Sequence, residues 1–147
     1  MRIEWVLLAE GLTQDARGAW TAVGLNQNVF ATDTFPAHTK RAVVTRLADL
    51  DEHQQLHFRY AVVAPSGRTL VAQESDLQLG DRRLPTLPAS LDVPGEFVLS
   101  VTEYGEHRIE CEVSNRGSNE IVLDYVSIYV VETKAFLTEP ADRGPSA

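Results

Sequence analysis

Gly105-Glu106-His107-Arg108-Ile109-Glu110-Cys111-Glu112-Val113 decides how the chain is read, because charged residues hold every second place from Glu106 and uncharged ones the places between. Side chains of a strand point alternately to its two faces. Ile109, Cys111 and Val113 can therefore line a core while Glu106, Arg108, Glu110 and Glu112 stand in water. No helical period fits that pattern.

Working outward, Phe97, Leu99 and Val101 give a second inward face just upstream, joined to the first through Tyr104-Gly105. A two-residue hairpin there would set Glu103 directly opposite Glu106. Like charges facing across a pair are unfavourable, so a corner at which the chain crosses to a second sheet is the better reading. Downstream, Asn115-Arg116-Gly117-Ser118-Asn119 makes a turn, and Ile121 to Val131 is a strand apolar on both faces, expected to be central or to lie under a neighbour. From Thr133 onward, Pro140, Arg143-Gly144-Pro145 and small residues offer little to bury, which predicts a flexible tail over 133–147.

Toward the N-terminus, Leu56, Phe58, Tyr60 and Val62 alternate with His57, Arg59, Ala61 and Val63, Pro65-Ser66-Gly67 closes a tight connection, and residues 68–79 return. Residues 54–79 thus read as the clearest hairpin in the chain. Residues 2–10 place Ile3, Trp5, Leu7 and Ala9 on one face and Val6 and Leu8 on the other, the pattern of an inner strand. Thr13 to Gly18 is a surface turn, with Asp15 able to bond the backbone ahead. A strand near 19–31 is interrupted at Gly24, and Phe35-Pro36 lies in a loop feeding a strand near 40–48. Between Gly80 and Gly95, Pro85, Pro88 and Pro94 forbid regular pairing, yet Leu84, Leu87 and Leu91 need a cover, either the open end of their own domain or a partner. About eight short strands without a helical period predict an all-β chain. Its architecture is a two-layer antiparallel β-sandwich over residues 1–132, immunoglobulin-like or jelly-roll-like, with a closed β-barrel as the alternative.

The 147 residues suit one domain, and a formal net charge of -8 with no basic stripe argues against nucleic-acid binding. A single cysteine, Cys111, can make no internal disulfide, and Glu4 falls where a signal peptide needs an unbroken apolar run, so a cytoplasmic location is expected. No stretch approaches the roughly 18 apolar residues of a membrane helix.

Among groups that could carry chemistry, Asp49, Asp51, Glu52 and His53 are the best metal candidates, since oxygen-rich loops at a sandwich end can hold calcium. Their spacing lacks the glycine of a calcium loop, and ligands from elsewhere would be required. His38, His53, His57 and His107 are scattered without metal-ligand spacing. Gly-x-Ser-x-Gly and Gly-rich phosphate loops do not occur. Cys111 falls on the inward face, where a thiol is an apolar filler with a raised pKa. No catalytic residue and no cofactor are implied.

The opening Ile3-Glu4-Trp5-Val6-Leu7-Leu8-Ala9-Glu10, the turn with Asp15 and Gly18, Val23-Gly24-Leu25, Phe35-Pro36, Ala64-Pro65-Ser66-Gly67 and Gly105-x-His107-x-Ile109 together resemble a family of small bacterial proteins of uncharacterised function. The likeness spans residues 2 to about 132. It implies a β-sandwich and brings no catalytic residue with it.

The reading of function that follows is a non-enzymatic interaction module that self-associates, with Leu84, Leu87, Leu91, Trp5 and Trp20 as the contact residues. The alternative is a small-ligand or calcium-binding sandwich whose mouth is formed by the loops around 32–39, 49–53 and 80–95.

Overall fold

The computed structural model describes residues 1–81, 86 and 89–137. Among them, ten strands follow one another: β1 (Arg2–Ala9), β2 (Gly11–Gln14), β3 (Trp20–Val23), β4 (Val29–Ala31), β5 (Ala37–Leu50), β6 (Gln55–Val63), β7 (Thr69–Gln78), β8 (Ala89–Val101), β9 (Gly105–Asn115) and β10 (Ile121–Val131). A short helix, α1 (Thr133–Leu137), ends the described chain. The start of the segment expected to be a flexible tail is therefore helical, and the remainder of that tail lies outside the described residues.

Period-two patterning puts the apolar sets of the long strands on one side each, and the two apolar sides close on one another. A three-stranded sheet ordered β1-β5-β8 faces a five-stranded sheet ordered β4-β10-β9-β6-β7, with β2-β3 as a separate two-stranded ribbon. The all-β sandwich is as expected, with ten strands in place of about eight. The barrel alternative fails because the two main sheets do not join into one. Among the seven long strands, the first, second and fifth form one sheet and the other four form its partner, the Greek-key distribution of an immunoglobulin sandwich.

The core between the sheets contains Val43, Leu47, Phe58, Tyr60, Val62, Phe97, Leu99, Ile109, Cys111, Val113, Ile128 and Val130. His107, Ile109, Cys111 and Val113, the inward row of the stretch that decided the fold, are all fully buried. The chain crosses from β8 in one sheet to β9 in the other through Thr102–Tyr104, so the corner, not the hairpin, is what forms. β6 and β7 pair antiparallel from Gln55↔Gln78 to Val63↔Thr69, which is the expected hairpin.

Five expectations need correction. First, β1 is an edge strand, not an inner one. A register shift between Ile3 and Trp5 reverses its parity, so Ile3, Val6 and Leu8 meet the core while Leu7 is exposed. Second, the single strand near 19–31 is two: β3 pairs with β2, and β4 runs parallel to β10. The chain is interrupted between them by left-handed backbone at Gly24 (φ 65°) and Asn26 (φ 61°).

Third, β8 begins at Ala89 despite Pro94, because Pro94 sits on an edge strand where one side of the backbone has no partner to lose. Fourth, β5 reaches from 37 to 50, so the loops at 32–36 and 51–54 lie at opposite ends of a long strand and cannot share a mouth. Fifth, Leu91 lies on β8, where it pairs with Leu47 of β5 and packs against the core instead of lying in a contact loop.

Arg41 fastens β4 and its lead-in to β5. Its buried guanidinium donates from Nε to the Gln27 carbonyl at 3.0 Å and from Nη1 to Thr39 Oγ1 at 2.6 Å, and burial lowers its pKa. At the other end of the connection, the Tyr104 hydroxyl donates to the Thr32 carbonyl at 3.1 Å, and the Tyr104 and Phe35 rings meet edge to face at 4.7 Å. Among the described residues, no helix is long and apolar enough to cross a membrane.

Candidate functional site

The outer face of the five-stranded sheet carries the feature that stands out on this surface. β10 turns Val122, Val126, Ile128 and Val130 toward the core. The residues between them point outward: Ile121 is 63% exposed, Leu123 61%, Tyr125 47% and Tyr129 43%. Together they leave on the order of 500 Å² in water, the size at which the largest apolar patch of a monomer is often functional. A second apolar face on this strand was legible in the sequence, where it implied a covering neighbour. Among the described residues no element covers it.

The next rows grade into charge. On β9, the Arg108 guanidinium lies 4.8 Å above the Tyr125 ring and 3.4 Å from Glu106 Oε2. Ser127 Oγ donates to Glu106 Oε1 at 2.6 Å, and this bond, followed by Arg108, holds the Glu106 carboxyl below the usual range. Farther across, His57 Nδ1 is 2.9 Å and Arg116 Nη2 2.7 Å from Asp76 Oδ1, and Arg59 Nε is 3.4 Å from Glu74. The His57 hydrogen bond first, then Arg116, lowers the Asp76 pKa. The face thus runs from aromatic and aliphatic at β10 to paired charges at β7. Hydrogen-bonded strands hold it rigidly.

The acidic loop sits at the end of the sandwich where β5 turns into β6. Asp49 Oδ2 accepts from Arg2 Nε at 2.7 Å, Asp51 N donates to Gln54 Oε1 at 3.0 Å, and His53 Nε2 is 2.9 Å from Asp81 Oδ1. Asp49 and His53 both adopt left-handed backbone, at φ 56° and 58°. Asp51, Glu52 and His53 face Asn115, Arg116 and Gly117 across a recess of 360 Å³. Among the described residues, no three of His, Cys, Asp and Glu gather as a metal set.

The groups that could serve nucleophilic chemistry are held in structural contacts. Burial pushes the Cys111 thiol up to about 12, so little thiolate exists at neutral pH. Cys111 lies on the strand that bears the second cysteine of an antibody domain, buried in the core between the two sheets. The Tyr60 hydroxyl is 2.8 Å from Thr45 Oγ1 and 2.7 Å from the Val93 carbonyl, and burial raises its pKa. Ser66 Oγ donates to Glu103 Oε1 at 2.6 Å within a turn. His107 is fully buried with Nδ1 3.2 Å from the Gly105 carbonyl, while His38 is exposed on β5.

Of the contact residues expected from the sequence, Leu84 and Leu87 lie outside the described residues and Leu91 belongs to the core edge. Trp5 is half-buried on the outer face of the three-stranded sheet, with Arg46 5.9 Å from its ring, and Trp20 on β3 is exposed. β1, which bears Trp5, lies beside β10, but Trp5 is on the outer face of the other sheet, and the β10 row was not among the expected contacts.

No family model and no curated protein matches the chain, so the resemblance to small bacterial proteins rests on turn and strand punctuation alone. Among solved structures, a glycosyl hydrolase family 2 member from Bacteroides cellulosilyticus is similar over 65% of this chain and 12% of its own, with 13% identity and a TM-score of 0.46. A likeness of that strength carries no information about activity.

Proposed function

We propose that the chain is a non-enzymatic protein-interaction module that works through the outer face of β10, and that its partner is a second copy of itself. The observation that carries this reading is the exposed row Ile121, Leu123, Tyr125 and Tyr129, set on a hydrogen-bonded sheet with Arg108 stacked on Tyr125. Tyrosine and arginine supply much of the energy of protein contacts, and rigid strands lose little entropy on binding. The same patch meeting itself across a two-fold axis makes a closed dimer.

A stable interface buries roughly 800 Å² per partner, more than the row alone provides. Arg108, Glu110 and Glu112 on the adjacent strand therefore form its polar rim. A net charge of -8 opposes approach of two copies, so association strengthens as salt screens it. The same charge disfavours a nucleic-acid partner.

Sedimentation equilibrium at several salt concentrations tests the reading. The natural chain should gain mass with concentration, and Leu123→Ser and Tyr125→Ser should lose that gain while keeping their melting temperature. A natural chain that stays monomeric at its highest soluble concentration overturns self-association.

The second reading, a small-ligand or calcium site, is favoured by the recess between Asp51–Gln55 and Asn115–Gly117, which has two carboxylates on its wall. Calcium binding only to the folded chain would raise its melting point. An unchanged melting point across calcium, other divalent cations and small metabolites sets this reading aside.

A further inference from the structure

We infer that Ser127 is a positioning residue of the β10 face: through Glu106 it holds Arg108 over the Tyr125 ring, so that the surface offered to a second copy is set before that copy arrives. This rests on the reading of β10 as a self-association face and names what prepares it. The outward row of β10 runs Ile121, Leu123, Tyr125, Ser127 and Tyr129, so one aliphatic hydroxyl interrupts a series of large apolar and aromatic side chains.

The register shows what that hydroxyl does. Arg108 pairs with Ser127, Glu106 with Tyr129 and Glu110 with Tyr125. Neither Glu106 nor Arg108 points straight across. Glu106 reaches diagonally to Ser127, whose Oγ donates to Oε1 at 2.6 Å, and Arg108 reaches diagonally to Tyr125, its guanidinium 4.8 Å from the ring centroid. Diagonal neighbours on a sheet stand roughly 7–8 Å apart, a span that long side chains can bridge. The second oxygen of Glu106, Oε2, lies 3.4 Å from Arg108 Nη2. One carboxylate is therefore held at both oxygens, and both β9 side chains lean the same way along β10. Glu106 raises the Arg108 pKa, first through its hydrogen bond and then through its charge.

These contacts are on the surface, where an ion pair adds little to the stability of the fold. Their effect falls on binding. A free arginine samples many rotamers, and a partner that packs on it must halt them. With Ser127 fixing Glu106 and Glu106 fixing Arg108, that ordering is complete in the folded monomer, and the guanidinium already lies on the Tyr125 ring. A serine that merely filled a gap in the row would behave oppositely: alanine, being more apolar, would tighten association.

The test compares the natural chain with Ser127→Ala, which removes the hydroxyl, and Ser127→Thr, which keeps it on a residue at home in strands. Circular dichroism checks that both stay folded. In dilute solution, the Arg108 δ protons of the natural chain and of Ser127→Thr should be shifted upfield by the Tyr125 ring, and Ser127→Ala should lose that shift. In sedimentation equilibrium, Ser127→Ala should weaken self-association by about three- to tenfold, the cost of immobilising one long side chain on binding, and Ser127→Thr should match the natural chain. A natural chain that never gains mass removes the self-association reading, and this role of Ser127 falls with it. In a chain that does self-associate, the inference alone is overturned if Ser127→Ala keeps the Arg108 shift, if it associates as tightly as the natural chain or more so, or if Ser127→Thr behaves like the alanine variant.

Discussion

Replacing Gly95 by alanine adds one methyl group at the point where β8 lies closest to the Tyr60 ring. A Cβ there would stand 2.7 Å from Tyr60 Cδ2, 2.8 Å from Cε2 and 3.2 Å from Phe97 Cζ. Carbon atoms pack best at about 3.5–4.0 Å, so the ring would have to withdraw by close to an ångström. It has nowhere to go. The hydroxyl is fixed at 2.8 Å from Thr45 and 2.7 Å from the Val93 carbonyl, and the ring edges against Phe58 at 4.7 Å and Phe97 at 5.7 Å. Overpacking of this sort costs about 1–3 kcal/mol, offset by about 0.4–1 kcal/mol because alanine restricts the unfolded chain more than glycine does.

The expected net loss is about 1–2 kcal/mol, or about 3–6 °C in melting temperature for a chain of this length. Urea unfolding followed by the fluorescence of Trp5 and Trp20 measures it. The decisive comparison is a double-mutant cycle with Tyr60→Leu, in which the ring is gone. There, Gly95→Ala should become neutral or favourable, a coupling of at least about 1 kcal/mol. A neutral or stabilising Gly95→Ala in the natural chain, or an unchanged cost in the Tyr60→Leu background, would refute the reasoning.

Other consequences can be checked as directly. Cys111 should resist alkylation at pH 8 in the folded chain and react at once in urea, because burial raises its pKa to about 12; rapid labelling without denaturant contradicts that placement. Arg41→Met strips the Gln27 carbonyl and Thr39 hydroxyl of their donor, so a loss of about 1–3 kcal/mol is expected together with faster exchange of the Tyr129 amide that β4 protects. Asp76 titrates below its ordinary value in the folded chain, so its stabilisation is present above pH about 4 and fades as pH falls through the lowered folded value. The melting-temperature gap between the natural chain and Asp76→Asn should therefore be constant near neutrality and close in acid; a gap that widens in acid would show the sign to be wrong.

What could be read from residues alone was whatever the two-residue period encodes. The buried row His107, Ile109, Cys111 and Val113, the 54–79 hairpin and the inward Phe97, Leu99 and Val101 all lie where alternation places them. Features set by three-dimensional order escaped it. One inserted residue near Glu4 inverts the faces of β1, which no local pattern announces. Pro94 resembles a strand breaker until β8 is known to be an edge. β4 is three residues long, too short to show a period, and its pairing with a strand about a hundred residues later is invisible locally. The candidate interface was half legible: Ile121, Leu123, Tyr125 and Tyr129 gave β10 a second apolar face. Whether that face is roofed depends on sheet order, and the expected contact at Leu91 instead lies against the core.

The parallel contact between β4 and β10 joins a strand near the beginning of the described chain to the last strand before its end. Because the two run in the same direction, tension applied between the start of β4 and the end of β10 pulls them lengthwise past each other, and their bonds are strained together instead of parting one by one like a zipper. Arg41 and Tyr104 brace the segments on either side of β4. A stretching force meets this clamp once β1, which precedes β4 and pairs with β5, has been drawn away.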